Sequence, residues 1–215
     1  EFWPIIKTGR THLQDATPIR MGQEFKGFSG QIEYAIARLT HAQQALSKVA
    51  LGGTAVGTGV NAHPEFARRV CRVLSAQEGI QVSETDNHFQ AQSTLDSTVD
   101  ASGVLRGVAI SLHKIANDIR WMGSGPRGGI GELILPEVQP GSSIMPGKIN
   151  PVIAESVIQV AAQVIGNDTT VALAGQGGYF ELNTMMPVAA YNLLQSIELL
   201  ANSAHNFAEQ CVKGL

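Results

Sequence analysis

The chain has 215 residues, a formal net charge of −3 at neutral pH and only 15% charged residues. Its Lys and Arg residues are scattered, which argues against a nucleic-acid-binding face. No apolar run reaches the roughly 20 residues that a membrane-spanning helix needs. We therefore expect a globular chain without nucleic-acid or membrane partners. Its slightly positive mean hydropathy favours burial of further surface in an oligomer.

Apolar residues at helical spacing predict long helices joined by loops. The predicted helices span residues 23–51, 64–77, 89–122, 152–174 and 184–214. Between them lie a glycine-rich segment at 52–59, a polar connection at 79–87, and a loop at 123–140 with a candidate short strand at 133–135. Helices near 30 residues suit a bundle in which neighbours bury the apolar stripes. The predicted fold is all-α, a long-helix bundle without an internal domain boundary.

Residues 141–151 read GSSIMPGKINP and combine two hydroxyls, a lysine and an amide between glycines and prolines. Asn150 and Pro151 predict a helix N-cap followed by a proline in the first helical position. The free N–H groups and the dipole of a helix N-terminus favour negative charge. With Lys148 nearby, the segment is typical of a binding site for a small anion.

The same segment fills every fixed position of GSSxMPxKxN, the signature of the fumarase/aspartase superfamily. Residues 7–16, KTGRTHLQDA, match a second motif of that superfamily, and further matches cover residues 52–64 and 121–132. The chain resembles the class II fumarase branch, because aspartases usually carry glutamine in place of His12 and alanine in place of Gly147.

This resemblance implies that residues 1–215 form the central helical domain of a fumarase, which pairs with three further copies in the core of a homotetramer. Active sites of the family combine residues from three chains. We expect the family's N-terminal and C-terminal domains to lie outside this sequence, and the isolated chain to be poorly active. The expected location is cytoplasmic, or the mitochondrial matrix in a eukaryote.

The family adds water reversibly to fumarate to give L-malate. In the reverse direction a proton leaves the carbon next to a carboxylate, which produces an aci-carboxylate with two negative charges on one carboxyl group. Such chemistry needs fixed positive charge and hydrogen-bond donors around that group. It also needs a base on one face and an acid for the departing hydroxyl on the other.

The resemblance assigns catalysis to Ser142, as the base that removes the carbon-bound proton. It assigns substrate binding to Ser143, Lys148, Ile149 and Asn150, with Ile149 acting through its backbone. A serine hydroxyl is a weak acid, so backbone N–H groups and Lys148 would have to stabilise its alkoxide. The alternative is that both serines are ordinary turn or capping residues and that Lys148 is a solvated surface lysine.

The resemblance also implies that Thr11 and His12, in the second motif, bind the other end of the substrate and handle the water. Imidazole suits this role because it titrates near neutral pH. Glu155 would pair with the motif histidine, or it would only stabilise the dipole of its helix. The sequence leaves open whether Ser142 or His12 starts the reaction.

We predict no metal and no cofactor, because the histidines lack metal-ligand spacing and residues 53–59 lack the spacing of a nucleotide-binding loop. Cys71 and Cys211 are predicted to be reduced core thiols. Two alternative functions are aspartate ammonia-lyase and a non-catalytic helical-bundle protein that reuses the lyase scaffold.

Overall fold

The computed structural model describes residues 1–141 and 144–215. Its elements, in chain order, are β1 (Ile6–Thr11), β2 (Gln14–Arg20), α1 (Met21–Leu46), β3 (Lys48–Val49), α2 (Phe66–Glu78), β4 (Ser83–Glu84), α3 (His88–Ser93), α4 (Asp96–Met122), α5 (Val152–Gly175), β5 (Gly178–Tyr179), β6 (Leu182–Asn183) and α6 (Met186–Gln210). A 3₁₀ turn, Val212–Gly214, follows α6. The prediction of a bundle of long helices is confirmed.

Helix α4 is the central element, because it packs against α1, α5 and α6. Its buried residues recur every three or four positions along its length: Ala101, Leu105, Val108, Ala109, Leu112, Ile115, Ala116, Ile119 and Met122. Small residues such as Ala109, Ala116 and Ala161 lie at the centre of the core. Because they have short side chains, they allow close approach of neighbouring helices.

A buried polar layer crosses the bundle and fixes the relative positions of three helices. On α5, Asp168 accepts a hydrogen bond from the Ser102 hydroxyl of α4 at 2.8 Å and pairs with Arg106 at 2.6 Å. Its neighbour Asn167 donates to the Ser196 hydroxyl of α6 at 3.0 Å. Such buried hydrogen bonds can form in only one register, so they favour one packing of these helices over slipped alternatives.

The structure corrects the predicted helix at 89–122, which is interrupted after Ser93. Thr94 has an extended backbone, with φ −127° and ψ 164°. The Asp96 carboxylate accepts hydrogen bonds from the Thr94 hydroxyl at 3.0 Å and from the Gln90 side chain at 2.9 Å. These side-chain bonds offer the chain a local alternative to continuous helix, which periodicity alone does not reveal.

Three other boundaries differ from prediction. Residues 133–135 are not a strand, and α1 ends at Leu46 rather than near residue 51. The last helix ends at Gln210, where a 3₁₀ turn replaces the predicted continuation to residue 214.

Within the described residues, no helix combines the length and apolar character needed to cross a membrane.

Candidate active site

Thr11 and His12 lie at the tip of the antiparallel hairpin formed by β1 and β2, an element that the sequence did not predict. Thr11 pairs with Gln14, so His12 and Leu13 form a two-residue turn. Both have positive φ, 56° and 58°, as a type I′ turn requires. Residues other than glycine adopt this backbone conformation at an energetic cost. Such strained residues cluster at functional sites. The turn presents the exposed imidazole to solvent.

The hairpin, α1 and α4 border an open cleft of about 590 Å³, which His12 helps to line. The cations on its walls are already paired: Lys114 with Asp118, and both Lys7 and Arg10 with glutamates. Among the described residues, the cleft therefore offers no unpaired lysine or arginine for a carboxylate. A dianionic substrate at His12 would need positive charge from another segment.

Gly141 and Lys148, which flank most of the signature segment, lie in direct backbone contact and form a neck. A Cβ atom placed on Gly141 would lie 1.7 Å from the carbonyl oxygen of Lys148, so only glycine fits at this neck. Within the loop, the Lys148 N–H donates to the Met145 carbonyl at 3.2 Å, and Gly147 has a φ of 79°. Ser142 and Ser143, the predicted base and its neighbour, lie outside the described residues.

Lys148 and Ile149 are exposed, and Asn150 is half-buried. In the part of the chain that the structure describes, the Lys148 ammonium has no hydrogen-bond or ion-pair partner. It is therefore a cation with unused donors at the neck of the loop. This is the property that binding an anion requires.

The prediction that Asn150 caps α5 is wrong by one position. The helix begins at Val152, and the capping residue is Pro151, with φ −79° and ψ 51°. The carbonyl of Pro151 accepts the first bond of the helix, from the Glu155 N–H at 3.0 Å. Since Asn150 precedes the cap, its amide is not used for capping and remains available to a ligand.

Glu155 lies in the first turn of α5 and is half-buried. The structure places Lys148, Ile149 and Asn150 just before α5 and Glu155 in the first turn of that helix. Across the described residues of a single chain, no hydrogen bond or ion pair joins these residues to Thr11 or His12. The pairing of Glu155 with the histidine remains a prediction.

Both cysteines are buried free thiols, as predicted. Cys211 lines a small cavity beside Asn150 and Pro151, and burial raises the pKa of its thiol to about 11. Burial and the charge of Glu84 also raise the pKa of Cys71. A raised pKa keeps these thiols protonated and unreactive at neutral pH, so neither is a nucleophile for the site.

Sequence reasoning missed the charged residues that hold the hairpin, namely Lys7, Arg10, Glu24 and Glu132. Three of them lie inside the segments that carried the family resemblance, which is the signal that singles them out.

Over residues 1–141 and 144–215, no cluster of three or more His, Cys, Asp or Glu residues has metal-binding geometry.

A protein-family model described as a lyase matches residues 1–166 of the chain. The chain therefore belongs to the lyase family. It is 53% identical, over 214 residues, to a class II fumarate hydratase from Neisseria meningitidis and 55% identical, over 216 residues, to one from Mycobacterium tuberculosis. Each alignment covers the whole chain and 46% of the relative, so the chain spans about half the length of the curated relatives it matches.

The fold is also similar to solved structures of this family. A crystal structure of recombinant class II fumarase from Schistosoma mansoni matches with a TM-score of 0.93 and 37% identity, over 98% of this chain and 47% of that one. A fumarate lyase:delta crystallin from Brucella melitensis, bound to cobalt, matches with a TM-score of 0.94 and 49% identity, over 99% and 46% of the two chains. The resemblance to class II fumarases is confirmed in both sequence and fold.

Proposed function

We propose that this chain carries part of the active site of a fumarate hydratase, which interconverts fumarate and L-malate. The observation that carries the proposal is the exposed Lys148, which contacts Gly141 through its carbonyl and whose ammonium has no partner among the described residues. Two residues further on, the side chain of Asn150 is not used to cap α5. A lysine and an amide in this position provide one full charge and further donors to a substrate carboxylate. The class II fumarate hydratases among the relatives support this choice of reaction.

In the direction from malate, Ser142 would take the proton from the carbon next to the carboxylate held by Lys148. The electron pair of the broken C–H bond enters that carboxylate, which becomes the dianionic aci-form. Lys148, Asn150 and the backbone at Ile149 stabilise the added charge more than they stabilise the substrate, and this difference accelerates the reaction. The electron pair then forms the carbon–carbon double bond as the C–O bond breaks.

The departing hydroxyl needs a proton to leave as water, and the exposed His12 is the group we assign to that side. Thr11 would bind the second carboxylate beside it. Glu155, if it pairs with His12, would orient the imidazole and stabilise its protonated form. In the hydration direction the same groups act in reverse, so His12 activates the incoming water.

We propose that this site is assembled from several copies of the chain in a homotetramer. Within one chain's described residues, no hydrogen bond or ion pair joins the hairpin tip to the stretch at 148–155. Large apolar side chains are exposed on the long helices, including Tyr34, Ile36, Tyr191, Leu194 and Ile197. Exposed apolar surface of this kind is typical of subunit interfaces.

The test is a chimaera in which this chain replaces the matching half of the Neisseria meningitidis relative, with assembly checked by light scattering. We expect a tetramer that hydrates fumarate, followed by loss of ultraviolet absorbance, whereas the 215-residue chain alone has little activity. Ser142→Ala or Lys148→Met should lower the turnover number at least about 10²-fold, the usual effect of losing one such stabilising group. Lys213→Met, which removes an exposed lysine paired with Glu209, is the matched control.

Two results would contradict the proposal. The first is a chimaera that deaminates aspartate but ignores malate, which would make the protein an aspartase despite His12 and Gly147. The second is a folded tetramer in which Ser142→Ala and Lys148→Met leave turnover unchanged. That outcome would favour a non-catalytic bundle or a site elsewhere.

A further inference from the structure

We propose that Glu132 is a positioning residue, which holds the hairpin tip with Thr11 and His12 in its working orientation. The catalytic part of this inference rests on the proposed hydratase function. Its structural part, that Glu132 fixes the tip, does not. Lys7, Arg10, Glu24 and Glu132 form a charge cluster beside the hairpin.

Glu132 lies at the centre of this cluster and contacts both basic residues of β1. Its Oε1 accepts a hydrogen bond from Arg10 at 2.7 Å, and its Oε2 lies 2.7 Å from the Lys7 ammonium. The contact between Oε2 and Lys7 does not have the geometry of a hydrogen bond. It is therefore an attraction between charges. Lys7 also donates to both carboxylate oxygens of Glu24 on α1, each at 2.8 Å.

The cluster is shielded from solvent, which strengthens it. The side chains of Lys7 and Glu132 are only 6% and 15% exposed. Two positive and two negative charges face each other there, so the cluster is neutral. In such surroundings the loss of one charge leaves its partners buried and unpaired, which is far more damaging than the loss of a surface ion pair.

Lys7 and Arg10 contact the same carboxylate although they lie three residues apart on β1, which is irregularly paired. On a regular strand, residues three apart point to opposite faces of the sheet. Here the pairing slips between Thr8 and Arg10, so that Gly9 faces two residues of β2. A Cβ atom on Gly9 would lie 2.6 Å from the Thr17 carbonyl oxygen, so the irregularity needs glycine.

Glu132 lies in the loop after α4, and its backbone is hydrogen-bonded to the last residue of that helix. Its N–H and that of Leu133 both donate to the Met122 carbonyl, at 2.8 and 3.1 Å, and Leu133 is buried in the core. Most of β2 is exposed. Within the described residues, no other side-chain hydrogen bond or ion pair joins residues 7–17 to the rest of the chain. The orientation of the tip therefore depends on this cluster, and Arg10 is only two residues from His12.

The first measurement is hydrogen exchange on the 215-residue chain, read separately for the hairpin at 6–20 and for the core of α4. Glu132→Gln keeps the shape of the side chain and removes its charge. We expect exchange in the hairpin to become at least about tenfold faster while exchange in α4 stays unchanged, since the opening is local. Glu137→Gln, on the same loop but exposed and without an ion pair to any described residue, should change neither.

The second measurement is kinetics on the chimaera. A misplaced catalytic group costs up to about 10² in rate, so Glu132→Gln should lower kcat by about 10- to 100-fold with little change in KM. Glu132→Asp, which keeps the charge on a shorter stem, should recover part of the loss. Arg10→Gln, which removes a single ion pair, provides a milder variant if Glu132→Gln does not fold.

Hairpin exchange that is unchanged in both Glu132→Gln and Arg10→Gln overturns the inference, whatever the kinetics. A hairpin that loosens while kcat stays at its original value overturns it as well, because the tip would not need to be held. If the unsubstituted chimaera lacks hydratase activity, the proposed function fails. The exchange measurement then still decides whether Glu132 holds the tip.

Discussion

The helical core differs from the two site segments, the hairpin tip and residues 141–150, in which residues carry the information. Along α4, the informative residues are buried apolar side chains at steps of three and four, and the backbone is regular helix. His12 at the hairpin tip and Lys148 before α5 are exposed, and glycine or positive φ marks the backbone beside them. Stability and the proposed chemistry are therefore separated in this chain, with the helices supporting two irregular segments.

The largest expected effect is in the core. Ile119 is 1% exposed on the face of α4 that packs into the bundle. Ile119→Ala should lower the free energy of unfolding by about 2–5 kcal/mol, through lost burial and the cavity left behind. Urea denaturation measures it. Ile134→Ala, at a residue that is 86% exposed in the following loop, should change the free energy by less than about 0.5 kcal/mol.

Equal losses from these two substitutions would mean that the loop at 123–140 is packed as tightly as the helices. The proposed contrast between a tightly packed helical core and the loops outside it would then be wrong.

A smaller effect, dependent on pH, is expected where the core meets the loop. Burial raises the pKa of Cys211 to about 11, so between its ordinary pKa and that value the unfolded chain ionises this thiol and the folded chain does not. Stability from this group is complete below about pH 8.5 and is lost as the pH rises toward 11, by at most about 3 kcal/mol. The difference in unfolding free energy between the native chain and Cys211→Ala should shrink accordingly over this range.

Parallel pH profiles for the two proteins would show that the Cys211 thiol titrates alike in both states. The end of α6 beside Asn150 would then be open to water rather than part of the core.

Sequence reasoning succeeded where one periodic signal decides the structure. The stripe through Leu105, Leu112 and Ile119 identified the central helix, because helical period and burial agree there. The same reasoning missed the hairpin, since the turn at His12 and Leu13 lacks the asparagine or glycine that normally marks it. It also missed the break at Thr94, where side-chain hydrogen bonds override an apolar pattern.

The residues of the candidate site were also only partly predictable from the sequence. Its residues could be named from two motifs, because short signatures preserve residue type and spacing. Their supports could not, since Arg10 and Glu132 are 122 positions apart and only the folded chain brings them together. The role of Asn150 was misjudged by a single residue, because capping depends on the ψ of Pro151 rather than on composition.

The smallest expected change in global stability accompanies a large local one, at Gly141. An alanine there would place its Cβ against the Lys148 carbonyl, so the neck of the loop must open. We expect Gly141→Ala to alter unfolding free energy by less than about 0.5 kcal/mol, because the neck contributes little to the core. Limited proteolysis within residues 141–150 should nevertheless become faster. Gly128→Ala, where an added Cβ meets nothing within 4 Å, should change neither. A Gly141→Ala loss comparable to that of Ile119→Ala would show instead that the closed loop helps to hold the bundle together, and chemistry and stability would then share one structural unit.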